Sequence, residues 1–204
     1  MILGKAEKTK KRSDYISWDT YFFMLAFTAA QRSKDPSTVN GACIVDPVLL
    51  SPISLGYNGF PRGCNDDLFP WDRDQPDPYN NKYVYVEHSE RNAIFNAARR
   101  GVSTDGSMIY IYSEKGLWPC SDCTKAIIQS GIIEVKMMFT DNNPDGRWDF
   151  RASKRMLEAA GVRISTPSSP NNSALDNSWQ ILQDVENMIV AMERMKESFK
   201  KFNV

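Results

Sequence analysis

Between positions 107 and 165 the chain switches repeatedly between two hydrophobic periods. The runs "SMIYIYS", "EVKMMFT" and "VRIS" have the apolar, β-branched and aromatic character of strands. Helix punctuation separates them: Pro119 opens one helical segment and Gly131 closes it, and "RASKRMLEAAG" supplies the next. Strands alternating with helices in this way restrict the fold to an α/β layered sheet.

The rest of the chain adds elements on the N-terminal side. "SDYISWDTYFFMLAFTAAQRSKDP" is expected to form an amphipathic helix that ends before Pro36. "VNGACIVD" and "LLSPISLGYNG" read as a strand pair, and Pro52 marks the second strand as an edge or a bulge. A loop rich in Gly, Pro, Asn and Asp then runs from Gly59 to Lys82; loops of that length without their own structure are uncommon and often functional. A helix is expected from about Ser89 to Arg100, closed by Gly101. Three regions follow: a flexible basic arm over 1–12, one domain over 13–166, and a linker with a long C-terminal helix over 167–204. Leu175, Leu182, Val185, Ile189, Met192 and Phe199 would form one face of that helix, packed on the domain or on a neighbouring subunit.

Charge excludes some function classes. Lysine plus arginine number 25 and aspartate plus glutamate number 25, so no net field draws the chain to nucleic acid or an anionic membrane, and a small ligand is the expected partner. No run approaches the roughly 18 apolar residues of a membrane span, and no signal-type apolar core follows the basic start. A cytoplasmic location and reduced thiols are therefore expected. Cys43, in "GACIVD", reads as a small buried hydrophobe, and nothing near Cys64 marks it as a ligand.

His88 is the only histidine, and with Cys120 and Cys123 it offers one imidazole and two thiolates, a set suited to tetrahedral zinc with the fourth position left for water. Cys120 and Cys123 are three apart near a helix N-terminus, where both thiols share a face and the dipole favours thiolates. Glu90, two residues from His88, converges with it only if His88 lies at or before the helix start; it is then placed to take a proton from water and pass it on. H-x-E followed by P-C-x-x-C is the signature of zinc deaminases. A redox C-x-x-C pair would leave His88, Glu90 and Pro119 as coincidence, and a structural zinc site would lack ligands.

Beyond this motif the chain resembles the deoxycytidylate (dCMP) deaminases through "KKRSDYISWDTYFFMLAFTAAQRSKDPSTVNGACIVD", "GYNGFPRGCNDDLFPW", "KYVYVEHSERNAIFNAARRG" and "WPCSDCTKAIIQSGIIEV", covering about Lys10 to Val162. The resemblance implies a three-layer α/β/α cytidine-deaminase-like fold around a mixed sheet of about five strands. It also implies a catalytic zinc, conversion of dCMP to dUMP with release of ammonia for dTMP synthesis, and a homo-oligomer, commonly a hexamer, activated by dCTP and inhibited by dTTP. By position, His88, Cys120 and Cys123 would hold zinc and Glu90 would be the acid/base. Asn58 would hold the deoxyribose, Arg32 and Lys34 would meet the phosphate, and the Ser89 backbone would meet the pyrimidine carbonyl.

The chain departs from the family pattern in three places: the longer "SEKGLW" before Pro119, the loop "FTDNNPDGRWDF" without a tyrosine, and the longer C-terminal helix. Trp118 and Trp148 therefore join the substrate-binding candidates. The first two departures leave 5-substituted dCMP or dCTP open as substrates. A polynucleotide deaminase would need a basic track, and an inactive nucleotide-binding regulator would have no use for Glu90. After "GYNG", the candidate effector residues are Gly59, Arg62, Gly63, Asn65, Asp66 and Asp67: backbone N–H groups and Arg62 for phosphates, the two aspartates for Mg2+. Arg99 corresponds to a position that the family links to the effector response.

Overall fold

The computed structural model describes residues 15–137, 150–165, 189–190, 192–198 and 200. Five strands form one sheet in the order β2-β1-β3-β4-β5. They are β1 Asn40–Asp46, β2 Ser51–Tyr57, β3 Met108–Ser113, β4 Glu134–Met137 and β5 Arg163–Ser165. β1 runs antiparallel to both of its neighbours, β2 and β3, while β3, β4 and β5 run parallel. The crossovers that parallel strands require are α3 Ser121–Gln129 and α4 Arg151–Ala159; α1 is Trp18–Ala30 and α2 is Ser89–Arg99.

Strand alternation sends side chains to two faces, and helices cover both. On one face Phe22, Phe23 and Ala26 of α1 pack on Cys43, Val45 and Tyr110. On the other, Ala93, Ile127 and Leu157 from α2, α3 and α4 pack on Ala42, Ile44, Ile109, Ile111 and Val135. The expected three-layer arrangement with a mixed five-stranded sheet is observed.

Two glycines set how closely helices approach the sheet. A Cβ at Gly41 would lie 2.0 Å from the Ala26 carbonyl oxygen, and one at Gly56 would lie 2.2 Å from that of Ser89. The second contact seats the start of α2 directly on β2.

Pro52 sits on the edge strand and at a bulge, where the register shifts between Ile44 and Val45. A proline lacks the N–H that a central strand needs, so both sequence alternatives are realised at one position. The first helix is shorter than its apolar pattern: Ser17 caps it by accepting from the Thr20 N–H at 3.2 Å. Its end is set by "QRSKDP", where Asp35 Oδ1 accepts from the backbone N–H groups of Ser37 and Thr38 and turns the chain.

The long C-terminal helix is not supported. Helical residues occur at 189–190, 192–198 and 200, and Ile189 and Met192 of the expected stripe are exposed, so nothing described in the chain buries them. A helix without a packed face has little to hold it. The basic arm, the linker, Trp148, Leu175, Leu182, Val185 and Phe199 lie outside the described residues.

Candidate metal centre and substrate cleft

Two helix N-termini converge at the carboxyl end of β3. His88 is the N-cap of α2 and Cys120 is the N-cap of α3, both with extended backbone. N-caps normally spend a side-chain oxygen on the first turn, but neither residue makes a capping bond. Their side chains stay available. Pro119 therefore precedes the helix instead of opening it, and Cys123 occupies its third position, one turn from Cys120. Because His88 is off the helix and Glu90 is on it, the two side chains reach the same cavity, as the sequence required.

Both thiols lie 3.4 Å from His88 Nδ1, and the three ligating atoms fall within 4.8 Å of one another. Tetrahedral zinc with Zn–S of about 2.3 Å and Zn–N of about 2.0 Å separates N and S by about 3.5 Å, so the geometry fits. It is the one such metal-ligating group among the described residues.

Without metal the three groups shift one another's protonation. Hydrogen bonds from Cys123 and then His88 bring the Cys120 thiol down to about 4. The bond to Cys120 carries His88 up to about 9 against the opposing effect of burial. Cys123, donating to Cys120 and buried, is pushed well up. Metal binding must displace the protons of His88 and Cys123, so affinity rises with pH. Metal analysis of purified protein is expected to give about one zinc per chain, and Cys123→Ala to give well under half of that; full zinc in the variant would refute this ligand set.

Glu90 is buried and accepts from Ser89 Oγ at 2.9 Å. Both line a cleft with His88, Cys120, Asn40 and Trp118, and Arg73, Tyr83 and Phe150 complete its wall. Sequence reasoning missed Asn40 and Arg73. Asn40 continues the inward face of Ala42 and Ile44, yet its Oδ1 is buried with no partner among the described residues. An unmet buried acceptor costs about 1–3 kcal/mol, which a donor on a ligand relieves.

The remaining sequence candidates fall into two groups. Asn58 is buried and does not line the cleft; its Nδ2 donates to Asp35 Oδ2 and the Thr38 carbonyl, and its Oδ1 accepts from the Asn40 N–H at 2.9 Å. Arg32 and Lys34 are exposed outside the cleft, and Lys34 is paired with Asp66. Holding Asn58 in place is a knot that the sequence did not reveal, in which Lys82 Nζ lies 2.6 and 2.5 Å from the two Asp35 oxygens.

A second cleft lies behind α2. Gly59, Phe60, Arg62, Phe95, Asn96 and Arg99 line it, so three effector candidates come together there. Gly63, Asn65, Asp66 and Asp67 do not line it: Asn65 Oδ1 caps the Asp67 N–H, and Asp66 is engaged by Lys34. Gly59 and Glu87 of this second cleft are bridged, the Gly59 N–H donating to the Glu87 carbonyl at 3.0 Å and the Glu87 N–H returning the bond at 2.8 Å, one residue before His88.

A three-layer fold carrying His-x-Glu and Pro-Cys-x-x-Cys at paired helix N-termini defines a zinc-dependent deaminase, and residues 16–139 match the model of the cytidine and deoxycytidylate deaminase zinc-binding region. The chain belongs to this family. Within it, the chain is 44% identical over 153 residues to mouse (Mus musculus) deoxycytidylate deaminase, covering 75% of this chain and 81% of that one. It is 42% identical over 153 residues to the human (Homo sapiens) deoxycytidylate deaminase, with the same 75% and 81% coverage. Among solved structures, the fold matches dCMP deaminase of cyanophage S-TIM5 in complex with dCMP and dUMP, with a TM-score of 0.54 and 24% identity over 72% of this chain and 93% of that one.

Proposed function

We propose that the chain hydrolyses dCMP to dUMP and ammonia, a step that feeds dTMP synthesis. The observation that carries this reading is the buried Glu90 carboxylate in one cleft with His88 and Cys120, two members of the His88, Cys120 and Cys123 cluster. The deoxycytidylate deaminases of mouse and human support the choice of nucleotide. Zinc, when bound, supplies Lewis acidity that makes water a nucleophile near neutral pH. Glu90 then moves protons: it takes one from water as oxygen adds to C4 of the base and gives it to N3, then takes the proton of the new C4 hydroxyl and gives it to the 4-amino group, which leaves as ammonia as the C4–N bond breaks and C4=O forms. Ser89 Oγ orients the Glu90 carboxylate, and the Ser89 backbone faces the pyrimidine carbonyl. Asn40, Trp118 and Trp148 contact the nucleotide, with Asn58 acting through the backbone of Asn40. Ammonia release from dCMP exceeding that from dCTP, deoxycytidine and a cytosine oligonucleotide tests the reading; faster release from any of the others would replace it.

Regulation is part of the same proposal. The cleft at Arg62 and Arg99 takes the phosphates of dCTP or dTTP with Mg2+, and α2 together with the Gly59–Glu87 bridge links it to His88. Activator dCTP is expected to lower the half-saturating dCMP concentration, dTTP to raise it, and Arg99→Glu to blunt both while zinc stays bound. Substrate must tighten effector binding by the same factor. Hyperbolic kinetics unmoved by either triphosphate would refute the control site. A homo-oligomer in the cytoplasm completes the proposal; the four free thiols fit a reducing compartment.

A further inference from the structure

The reaction at C4 does not require the phosphate of dCMP, so something else in the cleft must make a nucleotide a better substrate than a nucleoside. The two cations that the sequence offered, Arg32 and Lys34, do not line the cleft. Arg73 does, in the cleft that Glu90, His88 and Cys120 also line.

Its setting is built rather than incidental. The backbone on either side is clamped: the Asp72 carbonyl accepts from the Lys82 N–H at 2.8 Å, and the Arg73 carbonyl accepts from Asn81 Nδ2 at 2.7 Å. The side chain is clamped as well. Arg73 Nε donates to Tyr83 Oη at 2.8 Å, and the guanidinium carbon lies 5.9 Å from the centre of that ring. No carboxylate pairs with Arg73 among the described residues, although Asp72 and Asp74 flank it in sequence. With Nε spent on tyrosine, the two terminal NH2 groups keep the fork that matches a phosphate edge-on. A guanidinium clamped by tyrosine, with no carboxylate partner among the described residues and lining a cleft, is pre-organised for an anion.

We propose that Arg73, oriented by Tyr83, binds the 5′-phosphate of the substrate and sets the preference for a nucleoside monophosphate over a nucleoside. This rests on the dCMP reading and names the contact that gives it specificity. The phosphate draws the deoxyribose end of the substrate toward Arg73 and leaves the base at Glu90. Arg73 acts on binding, so its effect falls on KM.

Steady-state kinetics of zinc-loaded protein with dCMP and with deoxycytidine separates this role from a structural one. Arg73→Gln is expected to raise KM for dCMP by about 10- to 100-fold, the range for a lost charged hydrogen bond, with kcat little changed. The kcat/KM for deoxycytidine should stay within about twofold, because no phosphate contact is lost there. Arg73→Lys should recover part of the dCMP loss, since it keeps the charge but not the fork. Tyr83→Phe should give a smaller rise confined to dCMP. Equal losses on both substrates would make Arg73 a structural residue and overturn the proposal, as would an unchanged KM in Arg73→Gln beside a raised one in Arg32→Gln or Lys34→Gln. Calorimetry with dUMP against deoxyuridine reads the same contact without turnover. If the wild type released no ammonia from dCMP, the dCMP reading would fail, while a dUMP affinity lost in Arg73→Gln would still establish the phosphate contact.

Discussion

Glu90→Gln is expected to retain about one zinc per chain and an unchanged melting temperature while losing about 10²- to 10⁴-fold in kcat, the usual cost of removing a positioned acid/base. The size follows from the reaction. Water must lose a proton as oxygen bonds to C4, N3 must gain one, and the amino group must be protonated to leave as ammonia. One carboxylate can serve all three events only if it is enclosed and aimed at the ring. Glu90 meets both conditions: it is 6% exposed, and Ser89 Oγ donates to its Oε2 at 2.9 Å. Glutamine keeps the shape and can still accept from Ser89, but it cannot hold and release a proton. A variant within a few fold of wild type, measured as ammonia released per zinc, would overturn the mechanism.

Lys82→Met is expected to destabilise the protein by about 3–5 kcal/mol, the range for breaking a buried ion pair by removing one partner. For a domain of this size that is on the order of 10 °C in melting temperature. Both side chains are 2% exposed, and the Asp35 carboxylate is also held by the Ser37 and Thr38 N–H groups and by Asn58 Nδ2. Methionine fills the lysine's space and leaves that carboxylate charged and dry. Asp35→Asn added to Lys82→Met should recover part of the loss, since the uncompensated charge is then gone. The knot also joins the turn after α1 to the end of the 59–82 loop, so the single variant should lose dCMP affinity as Asn58 and Asn40 shift. A melting temperature within about 2 °C of wild type, by scanning calorimetry, would show that the pair adds nothing.

The metal triad was legible because each part of it obeys local rules. The distance from His88 to Glu90 requires the helix to start between them, and Cys120 and Cys123 share a helix face at three residues' separation. The edge strand was legible for the same reason, since Pro52 has no N–H to give a second neighbour. The alternation of strands and helices after Ser107 fixed the layers. Local patterns failed where burial decides. The apolar run before Gln31 reads as a longer helix than Ser17 and the Asp35 turn permit, and the C-terminal stripe reads as a packed helix although Ile189 and Met192, its described residues, are exposed.

Charged side chains divide along the same line. Lys34, Arg73 and Lys82 all sit in polar, loop-like sequence, and nothing within a few residues distinguishes them. In the folded chain Lys34 pairs with Asp66 in solvent, Lys82 is buried against Asp35, and Arg73 lines the cleft beside Tyr83. The zinc ligands are marked by residue type and by the short spacings His88 to Glu90 and Cys120 to Cys123, which a sequence contains by itself, while their meeting across 32 residues is the work of the fold. The partner of a long, flexible cation is set by which surface lies within its reach, and here those surfaces come from segments as much as 47 residues apart. Only folding brings them together.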